Sequence, residues 1–283
     1  MRYDGLELDR AGSGNPSVVF LPGAGLVGLD YLNIHERAAE LTTSVRYDRG
    51  GTGWSETATL PRGAAEVAEE LHALLHAAAV PGPHLLVGHS LGAFYARRFA
   101  QLFPAEVAGL LLVDPGHEDI FSFLPPEAVE LNERMKPDLD SLPDLTDEQV
   151  EASRAAFGKL FAGWPDAARD RLTEHHLATW RTGILETLNF ESELYPELRA
   201  GGPLPDVPLI VLTAAGRNPY WAQFLTEEQM RMGHDGIDRM HRALAASVPR
   251  GEQRTVAGAS HQFLHLEHAD AVVRAIRDLI EEA

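Results

Sequence analysis

Gly88-His89-Ser90-Leu91-Gly92 sets a serine between two glycines. The apolar run His84–Val87 (HLLV) precedes it, and Ala93–Phe103 (AFYARRFAQLF) follows with helical spacing up to Pro104. A serine lifted on a tight strand-to-helix turn needs neighbours without Cβ atoms, because the turn packs on adjacent strands and on the following helix. The helix N-terminus then lies beneath any negative charge that develops there. Ser90 is the candidate nucleophile; the plainer reading of the same residues is a structural glycine turn. A serine hydroxyl attacks only when a base removes its proton. His261 suits that task, since it follows a candidate last strand and the small-residue turn Ala257-Gly258-Ala259-Ser260, and precedes a closing helix. Its plainer reading is a solvated loop histidine. Of the other twelve histidines, His265 and His268 lie past the loop and His175 and His176 fall in a long helical stretch. None forms a recognisable metal motif such as H-E-x-x-H, so no metal is expected.

A second glycine-rich stretch, Tyr47–Ser55 (YDRGGTGWS), follows a strand and invites comparison with a dinucleotide loop. No helix opens on its glycines, and Trp54 stands where a phosphate cradle needs small residues. It reads as a conformationally demanding loop near the active site, and no cofactor is expected.

The elements that must hold these residues follow from short apolar runs. Val18–Leu21, Ser44–Asp48, His84–Val87, Leu110–Val113 and Leu209–Leu212 have the continuous pattern of strands buried on both faces, and a last strand falls near Gln253–Val256. Helices are predicted over Arg62–Ala79, after Pro61, over roughly Thr226–Ala246, and over the amphipathic Ala269–Glu282. Strands alternating with helices predict an α/β fold whose mainly parallel, doubly wound sheet carries helices on both sides. Between Asp114 and about Pro205 the alternation stops, and helical stretches and prolines take over. The expected organisation is a core in two parts, residues 1–115 and 206–283, around an inserted helical cap, residues 116–205. Phe121, Phe123, Phe157, Phe161, Trp164 and Trp180 lie in that insertion, as an apolar lid over the serine or as packing for its own helices.

Five stretches in order, FLPGAG (20–25), YDRGGTGWS (47–55), VGHSLGA (87–93), LLLVDP (110–115) and GASHQF (258–263), resemble the α/β-hydrolase superfamily in its serine-nucleophile, helical-cap branch. The resemblance runs over essentially the whole chain. It implies the α/β-hydrolase fold and an oxyanion hole formed by the backbone amides of Ala24 and Leu91. Pro22 stands where the family usually has histidine, a mild departure because the donor is a backbone N–H. In most of the family the triad acid follows the strand before the last, and the matching position here is Asn218, which can orient an imidazole but cannot balance its charge. In some members the acid comes one strand earlier, where this chain has Asp114. The resemblance therefore implies a Ser90-His261-Asp114 triad, with Glu118, Asp119, Asp235 and Asp238 as other carboxylates that could serve.

Acidic residues outnumber basic ones 42 to 24, for a formal charge of −18, so nucleic acid and anionic membranes are not expected partners. With no cysteine, disulfides, thiolate zinc sites and a cysteine nucleophile are excluded. The N-terminus has no signal-like apolar stretch and no run approaches a membrane span, so a cytoplasmic protein is expected. The expected activity is hydrolysis of an ester or similar acyl bond of a small, largely apolar molecule. Acyl transfer or cyclisation in a biosynthetic enzyme, and ligand binding with little turnover, are the other classes these residues allow. Serine at the nucleophile position argues against chemistry that uses an aspartate there.

Overall fold

The computed structural model describes residues 1–138, 141–218 and 221–283. One eight-stranded sheet runs through it, built from β1 (Arg2–Tyr3), β2 (Leu6–Ala11), β3 (Ser17–Leu21), β4 (Ser44–Tyr47), β5 (His84–His89), β6 (Val107–Val113), β7 (Leu209–Ala215) and β8 (Gly251–Ala257). The spatial order is β1-β2-β4-β3-β5-β6-β7-β8. β1 and β2 form an antiparallel hairpin and β2 pairs antiparallel with β4; from β4 to β8 every neighbour is parallel. This is the α/β-hydrolase fold that the sequence motifs imply. The N-terminal hairpin is an addition to the expected strands. Its burial rests on alternating Leu6 and Leu8 in an otherwise polar run, a period-2 signal only two residues long.

β3 and β5 are buried at every residue, which explains the apolar runs VVFL and LLV within them. α2 (Ala64–Ala77), α3 (Leu91–Leu102) and α9 (Glu227–Ala245) cover one face of the sheet, while α1 (Leu32–Ala39) and α11 (Ala269–Glu282) cover the other. On α11 the buried stripe is Val272, Val273, Ala275, Ile276 and Leu279, at the spacing of one helical face. Each large apolar side chain fully buried this way contributes about 1.5–3 kcal/mol.

Between β6 and β7 the described residues form no strand. They form α4 (Pro126–Arg134), α5 (Asp147–Leu160), α6 (Asp166–Ala178), α7 (Thr182–Thr187) and α8 (Tyr195–Ala200), with the short α10 (Leu264–Glu267) following β8. A small apolar cluster of Val27, Leu29, Phe161 and Leu172, flanked by Trp54 and Phe157, ties these helices to the loop after β3. Among the described residues no helix is long and apolar enough to cross a membrane.

The strand order reverses at β3: the chain leaves it for β4 on one side, then returns to place β5 on the other. A crevice opens at such a switch point, at the carboxyl ends of the strands. FLPGAG leaves β3 there and GHSLG leaves β5 there, so topology alone brings two distant motifs together.

Candidate active site

Ser90 caps α3 with φ 50° and ψ −112°, a backbone state that an L-residue holds only under constraint. The constraint is visible on both sides. Ser90 N–H donates to Val113 O at 3.1 Å, and Ser90 O accepts from Gly116 N–H at 3.3 Å, lashing the turn to the end of β6. The flanking glycines are required by close approach. A Cβ at Gly92 would lie 2.0 Å from Leu21 O, and one at Gly88 would lie 2.7 Å from Gly92 O.

His261 Nε2 is 3.0 Å from Ser90 Oγ, and His261 Nδ1 is 2.5 Å from Asp114 Oδ2. Asp114 also sits at positive φ, 42°, at the end of β6. Its other oxygen accepts from Ala214 N–H at 2.8 Å, and its own N–H donates to Leu212 O at 2.7 Å. Burial pushes the Asp114 carboxyl up, but the hydrogen bond and charge of His261, the nearby His241 and the Ala214 amide together hold it below the usual carboxylate value. The protein packed around His261 disfavours imidazolium; the hydrogen bond and charge of Asp114 outweigh that and hold His261 above an ordinary histidine.

The other carboxylates are engaged elsewhere. Glu118 makes a two-pronged pair with Arg97, at 2.6 and 2.7 Å, while Asp119 pairs with Arg199, Asp235 with Arg231 and Asp238 with Arg242. Asn218 lies along the wall of a cavity described below.

Leu91 follows Ser90 directly, and the segment that carries Ala24 packs on the turn at His89, where a Cβ at Gly23 would lie 3.0 Å from His89 Nδ1. Gly23 N–H donates to Tyr31 Oη at 3.2 Å and Gly25 N–H to Glu186 Oε2 at 2.7 Å, so both neighbours of Ala24 are taken. Among the described residues no protein acceptor receives the Ala24 or the Leu91 N–H. Leu91 is the first residue of α3, where a helix has no internal partner for its N–H, and it is fully buried. A buried donor without a partner calls for an explanation, and an oxyanion would supply one.

Five further residues, Arg49, Glu186, Tyr31, His89 and His241, hold this arrangement, none of them singled out by the sequence. Arg49, from YDRGGTGWS, donates to Pro22 O at 2.6 Å and Gly23 O at 3.1 Å, and pairs with Glu186 of α7 at 2.7 Å. Both charges are buried, at 1% and 2% exposure. The glycine loop thus has a purpose beyond its conformation: Gly51 and Gly53 take positive φ just after the guanidinium that fixes the segment bearing Ala24.

His89 is wholly enclosed, and burial, with the nearby His265 and His261, pushes its pKa down to about 3, so it is neutral. Its Nε2 faces His261 O at 2.8 Å; a carbonyl only accepts, so this nitrogen carries the proton. Nδ1 therefore accepts from Tyr31 Oη–H at 2.8 Å, and Tyr31 Oη accepts from Gly23 N–H. One imidazole fixes the His261 backbone and, through Tyr31, the Ala24 segment.

Behind Asp114, His241 repeats the device. Its Nε2–H donates to Pro115 O at 3.0 Å and Nδ1 accepts from Thr213 at 2.9 Å. The spacing of these residues carries no motif; what could have marked Arg49 is a charge set among residues otherwise expected to be buried.

Two adjoining cavities are lined by the helical segment, and the first reaches the site at Ala24 and Gln262. The first, of about 470 Å³, is lined by Ala24, Leu26, Phe157, Phe161, Trp180 and Ile184, and by Gln262 next to His261. The other, about 560 Å³, is lined by Phe121, Leu124, Phe190, Tyr195, Trp221 and Leu225 among others, and Pro137 and Thr187 border both. Of the aromatics in the helical segment, Phe121, Phe157, Phe161 and Trp180 face cavities and Trp164 packs on Phe161, with ring centres 4.9 Å apart.

Fold and site define a class, and comparison with known proteins names it. Residues 18–275 match the model of the Alpha/beta hydrolase family, and the chain belongs to that family. The uncharacterized protein YqjL of Bacillus subtilis is 32% identical over 120 residues, 42% of this chain and 47% of YqjL, so the match spans under half of that relative. Solved structures similar over nearly the full length include a thermophilic esterase from Thermogutta terrifontis, 18% identical with a TM-score of 0.59, covering 98% of this chain and 93% of the esterase. The enol-lactonase from Burkholderia xenovorans LB400 is 19% identical with a TM-score of 0.61, covering 98% and 96%.

Proposed function

We propose that the protein is a serine hydrolase that cleaves a carboxylic ester or lactone of a small, largely apolar molecule through a Ser90-His261-Asp114 triad. The observation that carries this is the continuous chain from Ser90 Oγ to His261, at 3.0 Å, and on to Asp114, at 2.5 Å, beside two amides without protein acceptors. Ser90 Oγ attacks the carbonyl carbon as His261 Nε2 takes its proton; Asp114 stabilises the imidazolium that forms. The carbonyl oxygen becomes an oxyanion held by Ala24 and Leu91 N–H, each donor lowering the barrier by about 3 kcal/mol. His261 then protonates the leaving alkoxide, and the acyl group stays on Ser90. Water, deprotonated by the same histidine, attacks the acyl-enzyme, and Ser90 recovers its proton as the acid departs.

The residue 116–205 segment acts as a cap in this reading. Its aromatic side chains in the cavity that reaches Ala24 favour an apolar group next to the scissile bond and keep water away from it. The esterase and the enol-lactonase to which the fold is similar are enzymes of this bond class, in agreement with the reading. No cofactor enters the scheme.

The test is labelling with a fluorophosphonate probe, together with turnover of p-nitrophenyl esters of graded chain length. Covalent labelling and turnover that are both lost in Ser90→Ala support the proposal. Turnover that survives in Ser90→Ala overturns it.

A further inference from the structure

Far from the site just described, three side chains converge on the outside of α2. His72 and His76 are one helical turn apart on that helix, and Glu106 reaches them from the turn that follows α3. Among the described residues this is the one group of three such side chains whose ligand atoms all lie within 4.8 Å of one another. His72 Nε2 is 2.9 Å from Glu106 Oε1, and His76 Nε2 is 3.4 and 3.3 Å from the two Glu106 oxygens.

A tetrahedral zinc ion with bonds of roughly 2.0–2.1 Å needs neighbouring ligand atoms about 3.3 Å apart. The His76–Glu106 edges already have that length, and the His72–Glu106 edge needs to open by a few tenths of an ångström. The exposed His76 and half-buried Glu106 can supply this by small rotations, since neither is packed in the core. His72 is the fixed member: its ring stacks on Phe103, centres 3.9 Å apart and planes 9° from parallel. Two imidazole nitrogens and one carboxylate suit zinc and its first-row neighbours, whereas magnesium and calcium prefer all-oxygen sites.

We propose that His72, His76 and Glu106 bind one zinc-like divalent cation, with solvent in the fourth position, as a structural clamp between α2 and the end of α3. No H-E-x-x-H motif marks the site, because its carboxylate comes from 30 residues beyond the second histidine and only the fold brings it there. α3 has 12 residues, so at 1.5 Å per residue its far end lies roughly 18 Å from Ser90 at its start. The ion therefore acts on stability rather than on the reaction.

Isothermal titration of the metal-free protein with zinc chloride tests this, alongside His72→Ala, His76→Ala and Glu106→Gln, with His268→Ala as a control for scattered surface histidines and His261→Ala as a control for binding at the triad. The expected result is one zinc per chain, weakened at least tenfold in each of the three site variants and unchanged in both controls. Zinc should also raise the Tm of the wild type but not of His76→Ala, a surface change that leaves the fold intact. Absence of stoichiometric binding, or equal affinity in wild type and the three site variants, overturns the proposal, as does binding lost in His261→Ala. Magnesium chloride in place of zinc is expected to give no binding.

Discussion

Removing the Glu186 carboxylate should damage both stability and turnover, although Glu186 lies on α7 and touches neither Ser90 nor His261. In the folded protein Glu186 neutralises Arg49 at 2.7 Å and accepts the Gly25 N–H, with both charges sealed from solvent. Glu186→Ala leaves Arg49 buried and unpaired, a loss of about 3–5 kcal/mol for a broken buried pair. At roughly 2–3 °C per kcal/mol for a chain of this size, Tm should fall by about 6–15 °C. Arg49 still holds Pro22 O and Gly23 O, but with its charge uncompensated it will turn toward any route to water and pull the segment that carries Ala24. Losing one oxyanion donor lowers kcat about 100- to 1000-fold. Glu186→Gln keeps the volume and an acceptor for Gly25 N–H while removing the charge, so its losses in Tm and kcat should be smaller in both respects. The assays are thermal melts and steady-state turnover of a p-nitrophenyl ester at saturating substrate. A Glu186→Ala protein with Tm within about 2 °C of wild type and unchanged kcat would refute the claim that this ion pair holds the oxyanion segment.

Two further outcomes follow from the same geometry. Asp114→Asn preserves the shape of the contact to His261 Nδ1 but removes the charge that balances imidazolium, so kcat should fall about ten-thousand-fold without loss of fold, checked by turnover and circular dichroism. Its pH profile has a defined direction. The base works only when neutral, and Asp114 holds His261 above an ordinary histidine, so activity should fall with decreasing pH through a value above the usual histidine range; in the variant, residual activity should persist to lower pH. An acid limb that does not move would count against Asp114 as the partner of His261. For Gly92→Ala, the new Cβ meets the backbone of Leu21 and Pro22, so α3 must move off β3 and take Ser90 with it. The cost of about 1–3 kcal/mol or more should appear as a lower Tm, with turnover falling further than Tm alone explains. Normal values of both would show that the elbow tolerates a side chain.

The sequence alone determined the parts of this protein that rest on local pattern. Short runs such as VVFL and LLLV become strands because burial on both faces leaves no polar positions, and GHSLG becomes the turn after β5 because only glycine fits at Gly88 and Gly92. Ser90 and His261 could be proposed from the sequence because each stands at a fixed place relative to such an element. What the tertiary structure decided is which partners these residues meet. Asp114 rather than Asn218 faces the His261 ring because Asp114 ends the strand beside β5, a matter of strand order that no local pattern records. Arg49, Glu186, Tyr31, His89 and His241 had no signal, since each acts through a neighbour far away in the chain: 137 residues separate Arg49 from Glu186, and 172 separate His89 from His261. His72 and His76 lie one helical turn apart, but Glu106 joins them only once the chain has folded. Hydrophobic periodicity reports whether a side chain is buried, but a buried charge or imidazole is defined by what it is bonded to, and the chain must fold before that partner exists.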